Sequence, residues 1–212
     1  MIVTRQKDFN AILRTVGNNP VFIVGCNECA KLCGTGGETE VLAMKQAFEK
    51  EHIPVTGWVV LEPACHLQND KRLLKSHEGE IAKANKILIL ACGNGIQTVA
   101  EVVDAKEVVT GVDSLFLGEI VRANEFQKRC DLCGDCLLDS FEGYCPVSRC
   151  PKSMLNGPCG GSSQGKCEIS KDLECVWDRI YQDYKTQGRI QALHVIQKPK
   201  DWSHACVTKR SI

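Results

Sequence analysis

Residues 145–175 read CPVSRCPKSMLNGPCGGSSQGKCEISKDLEC. This stretch contains five cysteines, three Cys–Pro or Pro–Cys junctions and a Gly-Gly pair, with hardly any apolar periodicity. Burial of so few apolar side chains cannot offset the entropy of ordering the backbone. Thiolates bound to a metal centre can, because the free energy of metal binding then contributes to folding. The stretch therefore predicts a loop-dominated domain that is held together by metal.

Three further cysteines precede this stretch. Cys130, Cys133 and Cys136 are each separated by two residues, and Cys145 is followed by proline. This resembles a stretched ferredoxin pattern, in which the fourth cysteine can ligate a different cluster. Eight thiolates could hold two clusters, one cluster and a zinc ion, or one cluster with spare cysteines, and spacing does not decide the pairing. The eight predicted ligands are Cys130, Cys133, Cys136, Cys145, Cys150, Cys159, Cys167 and Cys175.

Composition limits the class of protein. The 212 residues are 43% hydrophobic and include 26 basic and 26 acidic side chains, which fits a soluble globular chain of one large or two small domains. A net charge of zero argues against a nucleic-acid partner. Because no apolar stretch reaches the length of a membrane span and no signal sequence is evident, we expect a cytoplasmic location. In a reducing compartment, fourteen cysteines favour metal ligation over disulfides.

Strands alternate with helices in the first half of the chain. This order predicts an α/β fold with a small doubly wound, Rossmann- or flavodoxin-like parallel sheet. Apolar patterns predict strands at 20–24, 55–61, 86–90 and 107–109, and helices at 5–16, 38–51, 96–103 and 113–128. A C-terminal helix is predicted from Lys171 to about Gln187, with Ser170 as its N-cap and Gly188 at its end.

Cysteines also follow the predicted strands. Cys26, Cys65 and Cys92 each come directly after one, and the loops after parallel strands gather at one edge of the sheet. We therefore expect these three residues to converge. Three closely spaced thiolates with a distant fourth suit a [4Fe–4S] cluster better than zinc. The predicted ligands are Cys26, Cys29, Cys33 and Cys92. Cys92 is preferred as the fourth ligand because Gly93 and Gly95 permit close approach of the backbone, and Cys65 is the alternative because Pro63 and His66 crowd it.

These features divide the chain into three parts. Residues 1–112 form the α/β domain with its N-terminal cluster loop, and residues 113–190 form the cysteine-rich domain. Residues 191–212 form a C-terminal tail without clear periodicity.

The cysteine-rich region resembles a known family. The residues CDLCGDCLLDSFEGYCPVSRCPKSMLNGPCGGSSQGKCEI and ECVWDRIY resemble the C-terminal-type domain of methylenetetrahydrofolate reductases, from Cys130 to about Tyr184. The NGPCGG core is highly specific. Together with the N-terminal cysteine loop, the chain resembles the MetV-type iron–sulfur subunits of these reductases from acetogenic and related anaerobic bacteria.

The resemblance implies a non-catalytic subunit of an oxidoreductase complex. We expect two [4Fe–4S] clusters, and the number of cysteines is sufficient for three. The clusters would pass electrons from ferredoxin or another iron–sulfur donor to the FMN of a MetF-type catalytic subunit. That partner reduces 5,10-methylenetetrahydrofolate to 5-methyltetrahydrofolate in the Wood–Ljungdahl pathway. Members of the family are also described as zinc-binding, so the alternative is a redox-silent zinc protein that scaffolds the catalytic partner.

Overall fold

The computed structural model describes residues 1–104 and 106–206. The chain forms two compact units, Met1–Phe126 and Gln127–Ile212. The predicted boundary after residue 112 falls at the start of a long strand. Residues 207–212 of the predicted tail lie outside the described residues. No helix within the described ranges has the length and apolarity needed to cross a membrane.

A four-stranded parallel sheet forms the centre of the first unit. Its strands are β2 (Val21–Cys26), β3 (Val55–Leu61), β4 (Lys86–Leu90) and β5 (Glu107–Thr110). Every residue of β2 is buried, as expected for a central strand covered on both faces. The order in the sheet is β3-β2-β4-β5. When the parallel strands are numbered from β2 as the first, this order is 2-1-3-4, as in flavodoxin-like folds. The α/β class and the four predicted strands are confirmed.

Helices cover both faces of this sheet, because alternate residues of a strand point to opposite sides. Phe22 and Val24 pack towards α4 (Leu67–Ser76), α5 (Glu78–Lys83) and α6 (Gly93–Val103). Val21 and Ile23 pack towards α1 (Phe9–Val16) and α3 (Glu38–Lys50). A single helical turn, α2 (Cys29–Leu32), lies in the loop after β2. The doubly wound arrangement is confirmed.

A second, three-stranded sheet corrects two sequence predictions. Its order is β1 (Ile2–Gln6), β6 (Val112–Arg122) and β7 (Glu125–Lys128). The predicted helix at 113–128 is wrong, because these residues form β6 and β7, and β6 pairs antiparallel with β1. The helix predicted at 5–16 begins later than expected, because Arg5 and Gln6 belong to β1. The apolar residues of 113–128 fit a helical stripe, but Gly118 in the interior weakens a helix there. Pairing with β1, more than 100 residues earlier in the sequence, makes this segment a strand.

The second unit is mostly loop around one small core. Its helices are α7 (Pro146–Arg149), α8 (Val176–Thr186) and short 3₁₀ turns at Leu138–Phe141, Ile190–His194 and Trp202–Cys206. The buried core residues are Phe141, Val176, Trp177, Ile180 and Tyr184. A cluster of five buried side chains, with Pro146 and Val147 buried outside it, is small for a unit of this size. This fits the prediction that apolar burial alone does not hold the unit.

The C-terminal helix begins later than predicted. Cys175 is its N-cap residue. Ser170 instead forms a turn, in which its side-chain oxygen accepts a hydrogen bond from the Asp172 N–H at 3.2 Å. A serine can cap a local turn as well as a helix, so the predicted N-cap was wrong. The predicted end of the helix holds, since Gly188 follows with a φ of 67°.

Candidate metal centres

Two cysteines lie at the switch point of the parallel sheet. This is the position between β2 and β4, where the direction of winding reverses and where such folds bind ligands beyond the carboxyl ends of the strands. Gly25 of β2 is in register with Leu90 of β4. Cys26 is the last residue of β2, and Cys92 lies two residues beyond Leu90, the last residue of β4. Both are buried.

The loop that carries Cys29 folds over this edge. The Cys26 N–H donates a hydrogen bond to the Gly36 carbonyl oxygen at 2.7 Å, which closes residues 26–36 into a compact loop. A methyl group at Gly36 would overlap the Leu90 carbonyl oxygen and would lie 2.8 Å from the Ala30 Cβ. Only glycine therefore allows the Cys29 loop to rest against the end of β4.

The loop that carries Cys65 reaches the same edge from β3. The Asn27 N–H donates to the Leu61 carbonyl oxygen at 2.8 Å, which ties the beginnings of the two loops together. A methyl group at Gly95 would lie 2.9 Å from the Ala91 Cβ and 3.1 Å from the Ala64 Cβ. The chain next to Cys65 is thus packed against the chain next to Cys92.

Three other cysteines lie near enough to Cys65 to affect its thiol electrostatically. Burial raises the pKa of Cys65, and the neighbouring Cys92, Cys26 and Cys29 raise it further. Thiolates close together repel one another, and a bound cationic centre would reverse that effect. We call Cys26, Cys29, Cys65 and Cys92 the switch-point cysteines.

Cys33 has different surroundings from the other cysteines of its loop. Its sulfur accepts a hydrogen bond from the Thr4 N–H at 3.4 Å and lies 3.9 Å from the Ile2 carbonyl oxygen. The thiol thus contacts β1, a strand that the sequence did not predict. The structure brings Cys65 together with Cys26, Cys29 and Cys92, whereas Cys33 points to the neighbouring sheet.

The first four cysteines of the second unit line one cavity of about 260 Å³. We call it the cysteine cavity; its cysteines are Cys130, Cys133, Cys136 and Cys145. The Leu132 N–H donates to the Cys130 sulfur at 3.3 Å. Gly134, with a φ of 76°, provides the sharp turn between Cys133 and Cys136. Hydrogen bonds to sulfur of this kind tune the properties of thiolate-bound metal centres.

Lys200 also lines the cysteine cavity. Its side chain is only 6% exposed, and its Nζ lies 3.2 Å from the Asp135 carboxylate. Burial disfavours the ammonium, but Asp135 and Cys133 outweigh burial and raise the pKa of Lys200. Lys200 could not be recognised from the sequence as part of this site, because it lies in the predicted tail, 55 residues beyond Cys145. A lone lysine near a proline carries no periodic signal that could have marked it.

The remaining four predicted ligands are brought near one another by short loops. The Cys167 N–H donates to the Leu173 carbonyl oxygen at 2.9 Å, and the Cys175 N–H donates to the Gly165 carbonyl oxygen at 2.8 Å. Cys167 and Cys175 therefore lie on the two arms of one hairpin-like loop.

Side-chain contacts connect the other two cysteines to this loop. The Cys159 sulfur lies 3.8 Å from Glu168, the neighbour of Cys167. Arg149 forms an ion pair of 3.1 Å with Glu174, and these two residues directly precede Cys150 and Cys175. Cys150 and Cys175 also border the small core of the second unit.

In the described ranges, no three cysteine, histidine or acidic side chains lie close enough together to surround a single metal ion. The thiols are gathered by their loops rather than arranged as the complete ligand shell of one ion. Thiolates as a class suit iron–sulfur clusters and zinc. The buried ammonium of Lys200 fits an anionic thiolate-bound group in the cysteine cavity.

Residues 109–203 match a family model described as the methylene-tetrahydrofolate reductase C terminal. The matched segment runs from the end of β5 through the cysteine cavity to the residues after Lys200, just under half of the chain. The match supports a protein related to methylenetetrahydrofolate reductase. No curated protein and no solved structure gives a significant match.

Proposed function

We propose that the chain is an electron-transfer subunit of a methylenetetrahydrofolate reductase complex. It relays electrons through [4Fe–4S] clusters to the flavin of a MetF-type catalytic subunit, which reduces 5,10-methylenetetrahydrofolate to 5-methyltetrahydrofolate. The observation that carries the proposal is the gathering of thiols in fours, once at the switch point of the parallel sheet and once around the cysteine cavity. The family match links the second of these groups to the reductase.

The proposed ligands of the first cluster are the switch-point cysteines. This assignment takes Cys65 in place of Cys33, because the Cys33 thiol hydrogen-bonds to β1 while the Cys65 thiol is coupled to the other three. The residues fit the group: four soft donors come from three loops, and Gly36 and Gly95 leave room for the loops to approach.

The proposed ligands of the second cluster are Cys130, Cys133, Cys136 and Cys145. Such a cluster supplies one-electron transfer when bound. The chain's own residues shape its surroundings: the Leu132 N–H donates to a ligand sulfur, and Val147 and Leu137 line the cavity with apolar surface. A third centre at Cys150, Cys159, Cys167 and Cys175 would hold the hairpin-like loop to the small core, with either a cluster or zinc.

The proposed partners are a flavin-bearing catalytic subunit and ferredoxin or another iron–sulfur donor. Exposed large apolar side chains in the second unit support a protein partner there. Leu132, which lies between Cys130 and Cys133, is 60% exposed, and Val195 and Ile196 are 65% and 76% exposed. Exposed apolar groups of this size are common at protein interfaces.

A ferredoxin-driven assay on the assembled complex tests this function. With reduced ferredoxin as donor, the wild-type complex should form 5-methyltetrahydrofolate, and Cys133→Ser should reduce the rate at least tenfold. In a single turnover that starts from chemically reduced flavin, the two complexes should react equally, because the substituted chain no longer delivers electrons but the partner is intact.

The alternative function, a redox-silent zinc scaffold, gives a different pattern in that assay. Loss of a structural zinc ligand would weaken assembly of the complex, so both reactions would fall together. Equal losses in the ferredoxin-driven and single-turnover reactions would therefore reject the electron relay.

A further inference from the structure

The last described residues fold onto the cysteine cavity. We call residues 197–206 the closing segment. At its start, the Gln197 N–H donates to the Asn156 side chain at 2.7 Å, and the Asn156 amide donates back to the Gln197 carbonyl oxygen at 3.0 Å. Near its end, a methyl group at Gly134 would come within 2.5 Å of the His204 Cβ. The segment is therefore fastened on both sides of Lys200.

This fastening places an ammonium group inside the cavity. Lysine is rarely buried unless it is paired, and the Lys200 side chain is 6% exposed. Its carboxylate partner, Asp135, is 50% exposed and so is partly screened by solvent. Arg129 and Asp131 also line the cavity, and Asp131 forms an ion pair with Lys128. Lys200 is thus the more deeply placed member of its ion pair.

A thiolate-bound cluster is the kind of group that this charge would stabilise. Four thiolates give such a cluster a net negative charge, and each electron that it accepts adds one negative unit. A buried anion is costly without a compensating charge. A nearby cation stabilises the reduced form more than the oxidised form, because the reduced form carries more negative charge. Net charge and hydrogen bonds to sulfur are among the factors that set the potential of a cluster.

We propose that Lys200, held in place by the closing segment, raises the reduction potential of the cluster in the cysteine cavity. The inference rests on the proposed function, since it requires a redox-active cluster at Cys130, Cys133, Cys136 and Cys145. It gives the closing segment the role of tuning one cluster of the relay. Lys200 acts as a positioning residue in this role, through its charge rather than through bonding to iron.

Redox titration followed by electron paramagnetic resonance tests the inference on the full chain in its complex. The signal that is lost in Cys133→Ser identifies the cluster of the cysteine cavity. Lys200→Met should shift the reduction equilibrium of that signal at least tenfold towards the oxidised form, which corresponds to a midpoint lower by 59 mV for one electron. Lys200→Arg keeps the positive charge, so its midpoint should stay close to that of the wild type. Lys198→Met is the matched control, because Lys198 is an exposed lysine of the same segment.

A second substitution covers the case in which Lys200→Met fails to take up iron. Asp135→Asn removes the counter-charge and keeps the ammonium, so the midpoint should rise relative to wild type. Midpoints that stay at the wild-type value in Asp135→Asn, and in Lys200→Met where it is loaded, would overturn the role of Lys200 and leave the proposed function standing. Absence of a Cys133-dependent signal in the wild-type chain would overturn both.

Discussion

Gly25 of β2 and Leu90 of β4 lie opposite each other in parallel register. The two strands therefore end at nearly the same level, with Cys26 as the last residue of β2 and Cys92 two residues beyond Leu90. The Cys29 loop closes over this edge from β2 and the Cys65 loop reaches it from β3. In a sheet topology that usually binds a ligand at this edge, the loops of this chain carry Cys26, Cys29, Cys65 and Cys92 there.

Cys65 and Cys33 provide a matched pair of serine substitutions. We expect Cys65→Ser to lose the iron of one cluster, about four atoms per chain. Cys33→Ser should keep that iron, because the Cys33 sulfur hydrogen-bonds to β1 rather than facing the switch-point cysteines. Iron and sulfide analysis after anaerobic purification measures the difference. Full iron in Cys65→Ser with loss in Cys33→Ser would restore the ligands first predicted from the sequence.

Gly36 should not tolerate a side chain. In Gly36→Ala the new methyl group would overlap the Leu90 carbonyl oxygen, so the Cys29 loop must shift, and we expect a loss of about 1–3 kcal/mol in the free energy of unfolding. Gly79→Ala is the control, because nothing lies within 4 Å of its added methyl group and it is part of α5. Denaturant unfolding should show Gly79→Ala at or slightly above wild type. Equal stability of the two variants would contradict the close packing at Gly36.

Asp70 makes stability depend on pH. It is fully buried in α4, and within the described ranges neither carboxylate oxygen has a hydrogen-bond partner at normal distance, although the backbone of His66 lies near enough to favour the charged carboxylate. Burial raises its pKa, against a lowering influence of His66. A carboxyl whose pKa is higher in the folded than in the unfolded chain costs stability as the pH rises from the unfolded value through the folded value.

Asp70→Asn should therefore stabilise the protein more at pH 8 than at pH 5, by about 1 kcal/mol at pH 8. Urea unfolding at the two pH values, with the same metal content in both proteins, measures the difference. A stabilisation of equal size at both values would show that Asp70 does not carry a shifted pKa.

Metal removal should affect the two units differently. The first unit has apolar core clusters on both faces of its sheet, whereas the core cluster of the second contains only five buried residues. We expect a chelator under reducing conditions to expose the backbone amides of α8 to hydrogen exchange, while those of β2 and β4 stay protected. Protection of α8 that persists after complete removal of metal would contradict a metal-dependent second unit.

The sequence predicted those features that depend on local pattern. The apolar runs of β3 and β4 predicted their boundaries, and the positions of Cys26, Cys65 and Cys92 after strands predicted that these residues lie near one another. The surroundings of Cys33 could not be predicted, because they depend on the pairing of β1 with a strand more than 100 residues away. The place of Lys200 could not be predicted either, since two hydrogen bonds to Asn156 and a close approach to Gly134 fasten its segment.

The electron paramagnetic resonance spectrum of the anaerobically purified, dithionite-reduced chain tests the central claim most directly. Two reducible clusters should give signals that integrate to about two spins per chain, with about eight iron atoms and a visible absorbance that bleaches on reduction. A colourless protein that contains zinc, shows no signal after reduction and keeps all its cysteines would contradict the electron relay.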